Sequence, residues 1–363
     1  MTSPPSPPVP PTPRMVERIR DWRWQPPAHW LSIRTVDLHT GGEPLRVILD
    51  GVPEIPGSTI LEKRRYFRTH LDHVRTGIMW EPRGHADMYG AVITEPTTPD
   101  GDFGAFFLHN EGYSTMCGHA IIALVTLVLD TGICMRDGLE PVIRIDAPPG
   151  RITAVGHRDA HTGRVSYVSF LNVPSFVALR DQIVDVPGLG PVRFDLAYGG
   201  AFYAYVDARP LGLELDATHC NRIIEAGKAI KAAVAREFPI QHPFEDDLSF
   251  LYGTIFVGDP RDASHHSRNV CVFAEGEVDR SATGSGVSGR AAIHRARGDL
   301  AVGESITIES ILGTSMDVAV MSDTTYGAHA AVIPRVSGQA WITGTNVFWF
   351  DPGDPLAQGF LVR

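Results

Sequence analysis

Apolar and polar residues alternate along several short stretches of this chain, a pattern typical of half-buried β-strands. Two such stretches, 33–38 and 45–49, flank the turn residues 40–44 and predict a hairpin. The spacing then becomes helical after Thr59 and Glu62, which form a capping-box pattern. The predicted helix carries apolar residues at helical intervals, namely Leu61, Phe67, Leu71 and Val74. Two further strands are predicted by alternation near 91–94 and 103–109.

An almost wholly apolar helix is predicted from Cys117 to Leu129. A helix that is apolar on every side is buried, so we expect this one at the centre of a surrounding sheet. Three more strands follow it, near 142–146, 152–155 and 165–173.

The same order of elements returns after the Pro/Gly-rich stretch 186–191. The repeated elements are strands near 192–196 and 202–206, an amphipathic helix over roughly 218–236, strands near 250–257 and 270–274, and a helix over 284–297. This order predicts an α+β fold with an internal duplication: two sheet-rich halves, each wrapped around a central helix. The two helix N-termini would then meet at one cleft.

The halves are assigned from the positions of these elements. Residues 31–188 form the predicted N-terminal half, which carries Cys117, and residues 189–345 form the C-terminal half, which carries Asp279 and Thr283. Residues 1–30 are predicted to be a Pro-rich tail and lead-in, of which 1–14 consist mostly of Pro, Ser and Thr and should be disordered.

Charge and cysteine content exclude several classes of function. The 32 basic and 42 acidic residues give a formal net charge of −10, so nucleic-acid binding is not expected. Four cysteines without a CxxC pair indicate neither a disulfide scaffold nor a zinc site, and they fit a reducing compartment such as the cytoplasm. The longest apolar run, 120–129, is too short to span a bilayer, so no membrane association is expected.

Two segments, 116–120 and 279–286, carry the chemistry. In each, a small polar residue stands directly before a glycine that opens a helix: Cys117 before Gly118, and Thr283 before Gly284. The first N–H groups of a helix are unpaired and bind anions, so two facing helix starts would hold a carboxylate. We expect the helix start to favour the Cys117 thiolate, a base suited to removing a proton alpha to that carboxylate. Asp279 could hold a substrate ammonium.

Each of these residues alone has a commoner structural explanation. Cys117 could be a packed core residue, His119 an ordinary helix-start residue, and Asp279 a turn or cap residue. Residues 284–289 also fit the GxGxxG pattern of dinucleotide-binding folds, with Glu309 about 20 residues further on. The strands that follow do not continue as βαβ units, which argues against that fold. The pairing of the two segments favours the catalytic interpretation.

The chain resembles the proline racemase family from about Val36 to its C-terminus. The resemblance is carried by five segments: 37–44 (DLHTGGEP), 82–90 (PRGHADMYG), 109–119 (HNEGYSTMCGH), 197–204 (AYGGAFYA) and 279–286 (DRSATGSG). Racemases and 4-hydroxyproline epimerases of the family have a second cysteine where this chain has Thr283, and racemases usually have Asn where it has Ala120. Both differences resemble the branch that dehydrates trans-3-hydroxy-L-proline. Ala282 replaces a usual Pro.

The resemblance implies a diaminopimelate-epimerase-like fold whose terminal strand, 346–363, returns to the first half. It implies roles for nine residues. Cys117 is the base, with Thr283 opposite it, and Asp279 contacts the ring nitrogen. The substrate carboxylate is contacted by Gly118, His119, Gly284 and Ser285, and the ring is lined by Tyr89 and Phe273. It implies no cofactor and no metal, a small-molecule substrate and a homodimer.

The expected activity is therefore that of a hydro-lyase acting on trans-3-hydroxy-L-proline. Two alternatives stay open. One is a racemase or epimerase of proline-type substrates, against which Thr283 argues because inversion needs a proton donor on the opposite face. The other is a non-catalytic binding protein for cyclic amino acids, against which the retained Cys117 and Asp279 argue.

Overall fold

The computed structural model describes residues 14–362, so the predicted disorder of the first residues lies outside the described part of the chain. The helices are α1 (Met15–Arg20), α2 (Ile60–His70), α3 (Asp72–Met79), α4 (Gly118–Asp130), α5 (Cys220–Glu237) and α6 (Gly284–Arg297). Three 3-10 turns span Arg209–Leu211, Ala217–His219 and Asp246–Leu248. The exposed helix α1 was not predicted from the sequence.

Eighteen strands make up the sheet structure. In the first part of the chain they are β1 (Leu31–Thr40), β2 (Glu43–Asp50), β3 (Tyr89–Thr94), β4 (Phe103–His109), β5 (Gly112–Ser114), β6 (Val142–Ala147), β7 (Gly150–Arg158), β8 (Val165–Leu171) and β9 (Ser175–Val186). In the second part they are β10 (Gly190–Tyr198), β11 (Phe202–Asp207), β12 (Leu251–Gly258), β13 (Ser267–Phe273), β14 (Glu277–Asp279), β15 (Ser305–Glu309), β16 (Ser315–Tyr326), β17 (His329–Gly338) and β18 (Ala340–Phe350).

The pairing of these strands repeats. The first series runs β18, β1, β2, β3, β4, β6, β7, β8, with β2–β3 and β4–β6 parallel. The second runs β9, β10, β11, β12, β13, β15, β16, β17, with the corresponding pairs β11–β12 and β13–β15 parallel. Parallel neighbours need a crossover, and α4 and α6 occupy the equivalent crossovers. The predicted two-half α+β fold is therefore confirmed.

One end strand of each series comes from the other part of the chain. β9 precedes residue 188 but pairs with β10 and β17, whereas β18 pairs with β1. The predicted terminal strand 346–363 is shorter than expected, because β18 ends at Phe350 and a turn follows in which the Gly353 N–H donates to Asp351. Pro352 also lacks the N–H that a continuing strand would need. The domain boundaries stay a prediction.

Burial of apolar surface explains why the two central helices form. Every residue of α4 from Gly118 to Leu129 is buried, as the all-apolar pattern predicts. In α6, residues Gly284 to Ile293 are buried, although several of them are small or polar. The capping box of Thr59 and Glu62 is present, but the helix it opens ends at His70, and α3 begins at Asp72. No helix among residues 14–362 is long and apolar enough to cross a membrane.

Candidate active site

The N-termini of α4 and α6 touch at two glycines. A Cβ atom placed on Gly118 would lie 2.5 Å from the Cα of Gly284, and one placed on Gly284 would lie 2.6 Å from the Cα of Gly118. Non-bonded carbon atoms normally stay about 3.5–4.0 Å apart, so only glycine allows this approach. The family resemblance implied that these glycines contact the substrate carboxylate, and their backbones also contact each other. The predicted meeting of the two helix starts is confirmed.

Cys117 is the N-cap residue of α4. Its Sγ accepts a hydrogen bond from the Ala120 N–H at 3.3 Å, in the way a Ser or Asp side chain usually caps a helix. This bond favours the thiolate, as expected from the sequence. Burial outweighs it and raises the pKa of the Cys117 thiol well above its ordinary value, and the negative charges of Asp279 and Glu43 add to the rise. The expectation that the helix start favours the thiolate form of Cys117 over the thiol is therefore wrong.

The imidazole of His119 lies against the Cys117 sulfur. Sγ is 3.2 Å from Nδ1 and 3.4 Å from Nε2. Such similar distances place the sulfur over the ring face, because a sulfur in the ring plane would collide with the carbon between the nitrogens. Burial lowers the pKa of His119 to about 4, although Asp279 and a hydrogen bond to the Pro44 backbone oppose the shift. His119 is neutral at physiological pH.

Thr283 occupies the matching place before α6. Its backbone has φ 67° and ψ 97°, a conformation that costs a β-branched residue roughly 1–3 kcal/mol. The Thr283 N–H donates to Ser281 Oγ at 3.1 Å, which helps to hold the turn. The Thr283 hydroxyl is buried and has no hydrogen-bond partner of good geometry among the described residues.

Asp279 and Glu43 form an acidic pair beside the helix starts. Asp279 is 5% exposed and accepts a hydrogen bond from the Ser281 N–H at 2.7 Å. Glu43 is fully buried, and one of its oxygens accepts from the Arg280 N–H at 2.7 Å. Burial, followed by the negative charge of Asp279, raises the pKa of Glu43 well above its usual range.

A cavity of about 20 Å³ lies between the two helix starts. Its lining includes all seven predicted site residues, namely Cys117, Gly118, His119, Asp279, Thr283, Gly284 and Ser285. It also includes the two predicted ring-contact residues, Tyr89 and Phe273, and four further residues, Met116, Tyr203, Tyr252 and Cys271. The structure thus brings the predicted residues together, while their chemical roles stay predictions. A cavity of this size holds about one water molecule, so a prolyl ring can enter only if the lining moves apart.

Sequence reasoning missed Tyr203, Tyr252, Cys271 and Glu43. Glu43 stands in the quoted segment DLHTGGEP, but the neighbouring Gly and Pro residues indicated only a turn. Tyr203 stands in the quoted segment AYGGAFYA, but like Tyr252 and Cys271 it lies in a strand whose alternation predicts burial and gives no indication of a site. Tyr203 Oη lies 2.8 Å from Ser285 Oγ, and so orients a hydroxyl at the start of α6.

Aromatic rings form one wall of the cavity. The Phe273 and Tyr252 rings stack with centroids 5.3 Å apart, and Tyr89 meets Phe273 edge to face at 6.1 Å. Tyr89 Oη also lies within hydrogen-bond distance of Ser114. A flat apolar wall beside paired helix starts suits a small ring that carries a carboxylate.

The dinucleotide interpretation of 284–289 is not supported. A Cβ on Gly286 would lie 2.5 Å from Ile255, and one on Gly289 would lie 2.0 Å from the Tyr205 hydroxyl, so both glycines allow the helix to pack on the sheet. Glu309 binds Arg268 at 2.6 Å instead of facing a ribose site. Another cavity, of about 730 Å³, is lined by none of the predicted site residues.

The fold and the paired helix starts define the class of diaminopimelate-epimerase-like enzymes. Within that class the chain belongs to the proline racemase family, whose model, described as "Proline racemase", matches residues 35–361.

Three comparisons describe its similarity to known proteins. The chain is 48% identical to a trans-3-hydroxy-L-proline dehydratase from Colwellia psychrerythraea, over 94% of this chain and 96% of the relative. It is 47% identical to a 3-hydroxyproline 2-epimerase from Burkholderia multivorans, over 92% of this chain and 98% of the relative. Among solved structures, a hydroxyproline epimerase from Agrobacterium vitis with bound trans-4-hydroxy-L-proline matches with a TM-score of 0.85 at 30% identity, over 92% of this chain and 96% of that one.

Proposed function

We propose that this protein is a trans-3-hydroxy-L-proline dehydratase. It removes the alpha proton, expels the 3-hydroxyl as water and yields Δ1-pyrroline-2-carboxylate. The observation that carries the proposal is the unequal pair at the two helix starts, a thiol at Cys117 facing a hydroxyl at Thr283. A thiol can exchange a proton at physiological pH, whereas an alcohol cannot, so the two helix starts supply one acid/base group at the alpha carbon where an inverting enzyme needs two.

The substrate carboxylate would bind at the paired helix starts. The N–H groups of Gly118, His119, Gly284 and Ser285 belong to the first turns of α4 and α6, which have no acceptors within their own helices. Both helix dipoles place partial positive charge at this position. These donors also stabilise the negative charge that develops on the carboxylate oxygens as the alpha proton leaves.

The substrate ammonium would activate the base. The negative charges of Asp279 and Glu43 oppose ionisation of Cys117 and so add to the rise in its pKa. A ring ammonium bound at Asp279 neutralises the charge of that carboxylate and places a positive charge near the sulfur, and both effects lower the pKa of Cys117. The thiolate is then formed in the complex that needs it.

Cys117 can serve as both base and acid. In trans-3-hydroxy-L-proline the hydroxyl lies opposite the carboxylate and therefore on the same ring face as the alpha hydrogen. The thiolate removes that hydrogen, and the resulting thiol gives the proton to the departing hydroxyl, in a syn elimination. Thr283 then needs no proton-transfer role in the elimination itself.

A second candidate is a 3-hydroxyproline 2-epimerase, because a relative with that name is 47% identical to the chain. Thr283 argues against it, since inversion needs a donor to the alpha carbon at the helix start opposite Cys117, where this chain has an alcohol. A non-catalytic protein that binds cyclic amino acids is a third candidate, and Cys117 beside Asp279 argues against it.

One assay separates the three candidates. The purified protein is incubated with trans-3-hydroxy-L-proline, and the products are followed by NMR. Formation of the pyrroline carboxylate supports the dehydratase. A 3-hydroxyproline inverted at C2 supports the epimerase, and an unchanged substrate that binds measurably supports the binding protein.

Three finer features belong to this proposal. The chain would act as a homodimer in the cytoplasm, and its two halves would divide at residues 188 and 189, with strand β9 exchanged into the second half. All four cysteines are free thiols, which suits a reducing compartment.

A further inference from the structure

A second thiol, that of Cys271, lines the same cavity from the other half of the molecule. Cys271 is fully buried on β13 and lies directly opposite Asp279 on β14. Opposite residues of an antiparallel pair place their side chains on one face, with Cβ atoms about 4.5–5.5 Å apart. The corresponding strands of the first half pair Phe107 with Ser114. Between these two equivalent strand pairs, only the second has a thiol next to a carboxylate.

The Thr283 hydroxyl is a second feature of this wall. It is part of a residue that is 4% exposed, it lines the cavity, and it has no hydrogen-bond partner of good geometry among residues 14–362. It nevertheless lies close enough to Cys271 to lower the pKa of that thiol, which burial and the charge of Asp279 raise well above its ordinary value. Burial and the charge of Asp279 thus favour the form of Cys271 that keeps its S–H proton. A buried hydroxyl without a partner is costly, and an atom of a ligand would satisfy it.

The proposed elimination leaves a task for such a donor. Loss of water from the substrate ammonium gives a ring with a C2=C3 double bond and two protons on nitrogen. Conversion to the protonated imine form of Δ1-pyrroline-2-carboxylate requires a proton added at C3 and one of these two protons removed from nitrogen. Cys117 has by then given its proton to the leaving hydroxyl and has none to donate. A different acid is needed if the protein is to complete the conversion.

We propose that Cys271, with the Thr283 hydroxyl beside it, protonates C3 from the face opposite Cys117, so that the site catalyses elimination and then tautomerisation. This inference rests on the dehydratase function. The Cys271 S–H bond breaks as the C3–H bond forms, and one N–H bond breaks as C2=N forms, with Asp279 accepting that proton. Asp279 then returns the proton to the Cys271 thiolate, its cross-strand neighbour. No oxidant or other reactant is consumed.

The face of protonation can be measured in deuterated water. Wild-type protein converts trans-3-hydroxy-L-proline in the presence of an excess of an NADPH-dependent imine reductase that forms L-proline, which traps the product before it exchanges hydrogen with solvent. Protonation from the Cys271 side places deuterium at C3 on the same face as the carboxylate, and protonation from the Cys117 side places it on the other. NMR of the L-proline distinguishes the two, and we expect an excess of the first of about tenfold or more.

Two variants and a control test the residue itself. Cys271→Val and Cys271→Ser are close in volume to cysteine, and in both the excess should fall to about 1:1 because solvent then protonates either face. Cys134→Val, which changes a half-buried cysteine outside the cavity, should keep the wild-type excess.

The outcomes separate the two proposals. Failure of the wild-type protein to consume trans-3-hydroxy-L-proline would overturn the dehydratase function and this inference with it. Wild-type label on both faces or on the Cys117 face would overturn this inference alone, as would a Cys271 variant that consumes substrate and keeps the excess. The wild-type ratio needs no variant, so it decides the face even where a substitution disturbs folding.

Discussion

Gly118→Ala tests whether contact between the two helix starts sets the geometry of the site. The new methyl group would lie 2.5 Å from the Gly284 Cα and 3.0 Å from its carbonyl carbon, and both are backbone atoms that cannot rotate away. Reaching ordinary contact requires the helix starts to separate by about 1 Å. A displacement of this size at a reacting group costs roughly 10²-fold in rate. Overpacking should lower the free energy of unfolding by about 1–3 kcal/mol.

The assay compares kcat/KM for trans-3-hydroxy-L-proline with the free energy of unfolding in urea. Gly112→Ala is the matched control, because a Cβ there meets nothing within 4 Å and should leave both quantities almost unchanged. A folded Gly118→Ala protein with wild-type kcat/KM would refute the claim that the helix starts must touch for catalysis.

Three further results are expected. Thr283→Cys should gain measurable epimerisation of a prolyl substrate at C2, detected by chiral chromatography, and wild-type protein that already inverts proline would contradict the role given to Thr283. The cis-3-hydroxy isomer should be a poor substrate. L-Proline in deuterated water should exchange its alpha hydrogen and keep the L configuration, because the proton returns from the Cys117 side. Equal turnover of the cis and trans isomers by NMR, or formation of D-proline, would contradict the one-face elimination. Burial and two acidic neighbours raise the pKa of the Cys117 thiol, so kcat/KM should still rise with pH above neutrality. A kcat/KM profile that is already level below pH 7 would show that the thiol of the free enzyme ionises more easily than the structure indicates.

Local sequence patterns predicted the duplicated order of elements and the facing helix starts. This was possible because the burial of α4 and its start at Cys117 depend on residues that are close together in the sequence. The break at Leu71 was missed, since the apolar spacing continues across it. The pairing of β9 with the second half could not be predicted from local patterning, because strand pairing is set by contacts distant in the chain, and the return of the terminal strand to the first half was expected only from the family resemblance.

The electrostatics of the site also depended on tertiary structure. The sequence indicated the helix start that favours a Cys117 thiolate, but the acidic neighbours that oppose it come from β2 and β14. Cys271 could not be identified from the sequence for the same reason, because its proposed role depends on the residues that it faces across the sheet.

The central claim is that a single thiol, Cys117, performs the elimination. It is tested most directly by measuring pyrroline carboxylate formed from trans-3-hydroxy-L-proline by wild-type protein, Cys117→Ser and the matched control Cys134→Ser. The wild-type protein and the control should form the product at similar rates, whereas Cys117→Ser should remain folded and lose about 10²–10⁴-fold in rate, since an alcohol is a far weaker base under these conditions. A folded Cys117→Ser protein that forms the product at the wild-type rate would contradict the account.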